Sequence, residues 1–270
     1  MLTLVGERLR QGHRTTRYPR GEPPALSERF RGLPAIDAAA CAAGCPRCAD
    51  ACLAACPTAA ITREPVASPT SKPPFAPTPQ PAIDLGRCLF CAACADACPS
   101  AAIAFTRDHR LAVRGREDLV FSGEPLRLAK ALRRETRRLF GRSLCLRQVS
   151  AGGCNACEAD SNVLTTIGWD IGRFGIRFVA SPRHADGLLV TGPVSKNMAL
   201  ALEKTWEAVA EPRIVIAVGA CAISGGPYAG SPEVLGGAAA KVPVDLYVPG
   251  CPPHPLTILD GLLRLLGRIR

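Results

Sequence analysis

Aromatic residues make up only 5% of the 270 positions, which argues against a stacking surface for nucleic-acid bases. No apolar run approaches the ~20 residues that cross a bilayer, so no transmembrane helix is expected. The opening stretch, MLTLVGERLRQGHR, has too short an apolar run and the wrong order of charges for a secretory signal, so the chain is expected inside the cell. The glycine-rich stretch GACAISGGPYAG (219–230) lacks both the Lys-Ser/Thr of a phosphate loop and a GxGxxG pattern, which argues against nucleotide binding.

What is present is cysteine, proline, glycine and positive charge. Apolar residues at 47% and charged residues at 21% are ordinary for a folded domain. The 14 Cys stand in a chain expected to be cytosolic, so metal binding, not disulfide formation, is their default use. The net charge of +10 is uneven: residues 1–35 carry +4, 36–106 carry −1, 107–147 carry +7 and 148–270 carry none. The cysteine-bearing stretches are near neutral, and the excess lies in an N-terminal arm and a middle segment. Such segments are either solvated faces or docking surfaces for an acidic partner or anionic lipid.

An internal repeat marks residues 36–106: CLAACPTAAI (52–61) matches CADACPSAAI (94–103). A proline-rich loop, 65–81, separates the copies. Residues 107–142 read as a basic linker, with a helix predicted over 125–140. Pro125 suits its first turn, Gly141 its end, and Leu128, Leu132 and Leu139 one apolar stripe. From 143 onward, apolar runs at 144–149, 176–180, 187–192, 213–219 and 244–250 alternate with loops and helices, as in a mostly parallel α/β sheet. A helix is predicted from Ser195 to about Ala210, with Met198, Leu202, Trp206 and Val209 on one face. Another, amphipathic, is predicted over Pro255–Arg268.

Cys88-x2-Cys91-x2-Cys94-x3-Cys98-Pro99 is the run that bacterial ferredoxins use to hold [4Fe–4S] clusters. Each iron of the cube takes one outside thiolate, and the cysteine before proline typically serves the other cluster of a two-cluster domain. Structural zinc usually takes two separated Cys pairs instead. The first copy is irregular, Cys45-x2-Cys48-x3-Cys52-x3-Cys56-Pro57, with Cys41 just upstream. Five thiols compete for four places. The repeat favours Cys45, Cys48, Cys52 and Cys98 for cluster 1, with Cys41 as the alternative to Cys52. Cluster 2 then takes Cys88, Cys91, Cys94 and Cys56. A third, dispersed set is Cys154, Cys157, Cys221 and Cys251. The last two directly follow predicted strands, and the loops beyond the carboxyl ends of parallel strands converge. Spacing alone leaves this set open between a metal site and buried core cysteines. Cys145, in an apolar run, is expected to be core, and His184 and His254 are expected to be structural.

At GGCNACEAD, RFGIRFVASPRHADGLLVTGPVSKNM, RIVIAVGACAISGGPY and VPVDLYVPGCPPHPLTILDGLL the chain resembles the small subunit shared by respiratory complex I and the formate-hydrogenlyase-type, energy-converting [NiFe]-hydrogenases. The N-terminal half resembles the two-cluster ferredoxin subunit of the same complexes, including Tyr18-Pro19 and Phe30-Arg31-Gly32-Leu33-Pro34. The chain thus looks like a fusion of the two. The fold implied is an α+β two-cluster ferredoxin domain followed by an α/β, flavodoxin-like, hydrogenase small-subunit-like domain over 143–270.

The resemblance implies three [4Fe–4S] clusters, the third being a proximal cluster on Cys154, Cys157, Cys221 and Cys251. It implies an electron-transfer subunit with no complete active site of its own. The implied partners are a [NiFe]-hydrogenase-like large subunit, other hydrophilic and membrane subunits of a complex I-like assembly, and formate dehydrogenase or another donor; nucleic acid is not among them. The expected location is cytoplasmic, peripheral on the inner face of the cell membrane through partner subunits. A quinone-reducing complex I-like enzyme and a free-standing ferredoxin-like carrier are the alternatives. The Cys154-x2-Cys157 spacing is the hydrogenase form. One departure stands out: the family usually has Glu where this chain has Asp160, with Glu158 nearby.

Overall fold

Strands buried on both faces need continuous apolar runs, and the second half of the chain supplies them. In the computed structural model, which describes residues 2–12, 14–43, 48–62 and 81–269, these runs form five parallel strands. Before them come α1 (Leu2–Gln11), β1 (Pro34–Ile36), α2 (Ala38–Ala43), α3 (Cys48–Ala54), β2 (Ile61–Thr62), β3 (Ala82–Asp84), α4 (Ala93–Asp96), β4 (Ile103–Phe105), β5 (Val120–Phe121) and α5 (Arg134–Phe140). Then follow β6 (Leu144–Ser150), α6 (Ala156–Val163), β7 (Ile176–Phe178), β8 (Gly187–Thr191), α7 (Lys196–Glu207), β9 (Ile214–Val218), α8 (Ala220–Ser224), β10 (Leu246–Val248) and α9 (Pro255–Leu265).

The parallel sheet runs β7–β6–β8–β9–β10. In chain order that is the flavodoxin-like 2-1-3-4-5, whose switch point lies between β6 and β8. Alternate residues of each strand face opposite layers. Ile214, Ile216 and Val218 pack with α9, while Val215 and Ala217 pack with α7, α8 and the ferredoxin-like part. Ile83, Leu85, Ile103 and Leu119 join that second layer, so the two halves share one core.

In the ferredoxin-like part, β1 pairs antiparallel with β4, and β2 with β3 and then β5. The strand before each cysteine run therefore pairs with the strand after the other run. The copies match in detail. Ala59 and Ala101 both adopt positive φ, and Cys56 and Cys98 lie near Thr58 and Ser100 hydroxyls at 3.8 and 3.5 Å. Most of the proline-rich loop lies outside the described residues.

Two expectations need correction. The helix predicted over 125–140 forms only over Arg134–Phe140. Upstream, Ala129 and Leu132 donate main-chain hydrogen bonds to Ala112 and Leu265 and are buried, so tertiary pairing takes the amides a helix would need. The proposed stripe is split, with Leu132 buried and Leu139 60% exposed. The second correction concerns α9, which ends at Leu265, short of Arg268, and whose polar side is buried along with its apolar one. The N-terminal arm and the segment before α5 cover the side that would otherwise face water. The N-terminal arm is anchored on the rest of the chain: Thr16 N–H donates to Gly168 O, Gly32 N–H to Thr106 O, and Tyr18 is buried. The helix predicted from Ser195 matches α7, with Leu202 and Val209 buried and Met198 and Trp206 packed beside them.

Sequence reading missed His109. It is buried, edge-on to Tyr18 at 5.7 Å, and its Nε2 has no hydrogen-bond partner among the described residues. Burial holds its pKa below the ordinary 6.5, against the pull of Asp260. The fold therefore favours the neutral ring. That preference adds nothing above 6.5 and costs stability as pH falls below 6.5, where the unfolded state takes up the proton. Between roughly pH 7.5 and 5.5, wild type should lose more stability than His109→Phe in denaturant titrations; equal losses would show that His109 is not a source of acid sensitivity.

Candidate iron–sulfur sites

The proximal candidates all sit beyond the carboxyl ends of parallel strands. After β6, Gly152 and Asn155 turn the chain with positive φ and place Cys157 in the first turn of α6. Cys221 lies in the first turn of α8, directly after β9, and Cys251 follows β10. At the switch point, Gly153 and Gly192 meet so closely that a Cβ on Gly192 would lie 2.6 Å from the Gly153 nitrogen.

The four thiols form one electrostatic group. Burial pushes Cys221 up to about 11, with Cys251 and Cys154 adding to the rise. Cys157 is pushed up further by burial, then by Glu158 and the other three cysteines. Thiols in this state stay protonated near neutral pH unless a cationic centre displaces the protons. The backbone makes room for such a centre. A Cβ on Gly219 would stand 2.5 Å from Cys157 Sγ, and one on Gly226 would stand 2.9 Å from Cys221 Sγ. A [4Fe–4S] cluster fits this cradle of sulfur ligands and bare backbone.

The second group is Cys56, Cys88, Cys91 and Cys94. Burial raises Cys88 to about 12 and Cys94 to about 11, and Cys56 and Cys91 raise both. Main-chain N–H groups already point at sulfur: Phe90 donates to Cys88 Sγ at 3.3 Å and Ala60 to Cys56 Sγ at 3.2 Å. Such bonds stabilise thiolate and tune cluster potential. Leu89 and Phe90, which lie between Cys88 and Cys91, line the same cavity as Cys251, so the second cysteine run and the Cys251 loop border one space.

Of the first run, Cys45 lies outside the described residues, as does the side chain of Cys48. Cys41 is buried together with Cys98 and Ala102, and Cys52 is buried in the core that also holds Cys88 and Cys94. Among the described residues, no three His, Cys, Asp or Glu side chains are close enough to hold a single metal ion. A cube that takes one thiolate per iron spreads its ligands more widely.

Glu158 is the site residue whose role the sequence hid. It is buried behind Cys157, and its Oε1 accepts from Ser150 Oγ at 2.6 Å and Thr191 Oγ1 at 2.7 Å. It thus ties β6, β8 and α6 together at the switch point. Asp160 instead borders a cavity of about 240 Å³ beside Cys251, with Arg29, Arg31 and His254, and burial raises its pKa. Glu158→Ala should cost about 1–3 kcal/mol by removing the acceptor that two hydroxyls share, and Glu158→Gln less because it keeps an acceptor. Thermal unfolding checks this; equal and negligible losses would contradict the brace.

His254 caps α9, with Nδ1 accepting from Leu256 N–H at 3.1 Å, between the rings of Phe30 and Trp169. His184 is exposed. Cys145 is buried and accepts from Arg177 Nε at 3.1 Å.

Residues 154–265 match the family model of the NADH ubiquinone oxidoreductase 20 kDa subunit, and residues 44–102 match a 4Fe-4S dicluster domain. A probable membrane-bound hydrogenase subunit of Pyrococcus furiosus is 40% identical over 132 residues, 49% of this chain and 79% of the relative. The chain belongs to the 20 kDa subunit family. A second relative, formate hydrogenlyase subunit 7 of Escherichia coli, is 44% identical over 126 residues, 47% of this chain; the match spans only 49% of that relative's length. An NADH-quinone oxidoreductase subunit of Heliobacterium modesticaldum is 40% identical over 121 residues, 44% of this chain and 69% of the relative. The chain therefore joins a 20 kDa-type domain to a domain of the [4Fe–4S] dicluster type.

Proposed function

We propose that this protein is the electron-transfer subunit of a hydrogenase- or formate-hydrogenlyase-like, complex I-related oxidoreductase. Three [4Fe–4S] clusters, bound as one-electron carriers, would connect a redox donor to an active site in a separate large subunit. Cys45, Cys48, Cys52 and Cys98 would hold the first; Cys56, Cys88, Cys91 and Cys94 the second; Cys154, Cys157, Cys221 and Cys251 the third. The shared edge of the ferredoxin unit (36–106) and the sheet unit (143–270) supports this reading: Leu89, Phe90 and Cys251 line one cavity, and Ser224 Oγ donates to Gly86 O at 2.9 Å.

The partner side follows from exposure. Cys154 and Cys251 are exposed, and a cluster held there needs a cover to control water and potential. A [NiFe]-hydrogenase-like large subunit is the proposed cover. The names of the hydrogenase relatives support this choice, as does the Cys154-x2-Cys157 spacing. The second reading, a quinone-reducing assembly, is favoured by the NADH-quinone oxidoreductase relative. Formate dehydrogenase or another donor would feed the ferredoxin unit. Among the described residues no helix is long and apolar enough to cross a membrane, so the proposed place at the inner membrane face is peripheral. Co-purification from detergent-solubilised membranes tests the assembly. A large subunit and membrane subunits are expected with the chain, and a lone soluble monomer would favour the carrier reading.

The first run has its own test. The matched repeat supports Cys52 as ligand, while the packing of Cys41 against Cys98 favours the alternative. Cys41→Ser should keep the full iron content, and Cys52→Ser should lose about four iron per chain. The reverse pattern would exchange the two roles.

A further inference from the structure

The stretch joining the two family-matched regions builds a groove that neither region supplies alone. Residues 126–131 run beside the chain's end, and α5 closes the side, around a cavity of about 620 Å³. Leu126, Leu128 and Ile269 provide its apolar lining, and Arg110, Lys130, Arg137 and Arg264 its charge, Arg264 being held by Asp260 at 2.7 Å. No carboxylate lines it among the described residues. Arg110 is held by Asp108 through contacts of 2.6 and 2.8 Å. Lys130 and Arg137 are exposed and form no ion pair among the described residues. Gly267, at φ +67°, lets the Arg137 guanidinium lie across the mouth; a Cβ there would stand 2.8 Å from its Nη1.

We infer that this groove receives the phosphate headgroup of an acidic phospholipid, with Lys130 and Arg137 on the phosphate and the leucines against the glycerol and upper acyl carbons. The inference deepens the membrane-side placement proposed above and rests on it. Its occupant must be anionic and partly apolar at once. An acidic peptide would leave the leucines uncovered, and no aromatic ring lines the groove to stack a base. The surroundings agree: residues 107–147 carry +7, and Leu139 stands 60% exposed on α5 between arginines. Each cation near an anionic leaflet contributes about 1 kcal/mol, an attraction that salt weakens.

The test uses the iron-loaded full chain and flotation with phosphatidylcholine vesicles, with or without about one-third phosphatidylglycerol. Binding is expected only with phosphatidylglycerol. Lys130→Gln combined with Arg137→Gln should weaken it about thirtyfold, whereas Arg134→Gln with Arg138→Gln, equal in charge but outside the groove, should weaken it several-fold less. Equal losses from the two pairs would overturn the groove in favour of diffuse charge on α5. Full displacement by millimolar inorganic phosphate would overturn the lipid in favour of a free anion. No vesicle binding by a chain that keeps its iron would overturn the inference and leave the electron-transfer reading standing. A chain without iron–sulfur signals would instead count against that reading, while its vesicle binding would still decide the groove.

Discussion

Cys221→Ser should remove about four iron per chain and stop electron transfer to the large-subunit side, while the signals of the ferredoxin unit persist. The expectation rests on position. Cys221 is half-buried in the first turn of α8, and Gly219 and Gly226 leave bare backbone around the thiols at that edge of the sheet. Its pKa is raised by burial and then by Cys251 and Cys154, which places it within the group. Serine nearly matches cysteine in size, so the helix and the layer beneath it, where Ala222 and Ile223 are buried, should stay intact. The loss is therefore one of ligation and not of folding. Circular dichroism should be unchanged, while EPR of the reduced protein loses one component. Full iron content with undiminished transfer would remove Cys221 from the ligand set.

Asp260→Ala should destabilise the chain by about 3–5 kcal/mol, because it leaves a buried charge without its partner. Asp260 is fully buried in α9, accepts from Tyr18 Oη at 2.6 Å and pairs with Arg264 Nε at 2.7 Å. Arg264 is itself 7% exposed, so water cannot replace the carboxylate. For a chain of this size the melting temperature should fall on the order of 10 °C. Tyr18 belongs to the N-terminal arm, and burial with the Asp260 bond pushes its pKa far above the ordinary 10.0. The folded state keeps that proton where the unfolded chain would release it, so stability from this bond is present below pH 10 and declines above it. Replacing all three members, Tyr18→Phe with Asp260→Leu and Arg264→Met, should recover much of the loss. The arm around Tyr18 should also become more sensitive to protease in Asp260→Ala. A loss under about 1 kcal/mol would mean that the pair does not hold the arm.

The sequence revealed the sheet because its strands are buried on both faces and read as unbroken apolar runs. Cys221 and Cys251 could be placed at one edge for the same reason, since each directly follows such a run. The segment 125–133 could not be read, because its main-chain partners, Ala112 and Leu265, lie far along the chain and override a helical pattern. The anchoring of the arm was hidden likewise: Tyr18 and Asp260 are 242 positions apart. The role of Glu158 depends on hydroxyls from two strands, which no local motif records. The choice between Cys41 and Cys52 stays with experiment, because an extra residue breaks the spacing and the described residues stop short of Cys45.

The proposed relay places three clusters on one chain. Iron, acid-labile sulfide and zinc content of the anaerobically purified protein, with EPR of the reduced sample, tests it most directly. About 12 iron with matching sulfide and three reduced-cluster signals are expected. About 8 iron would contradict the proximal cluster, and zinc in place of iron would contradict electron transfer altogether.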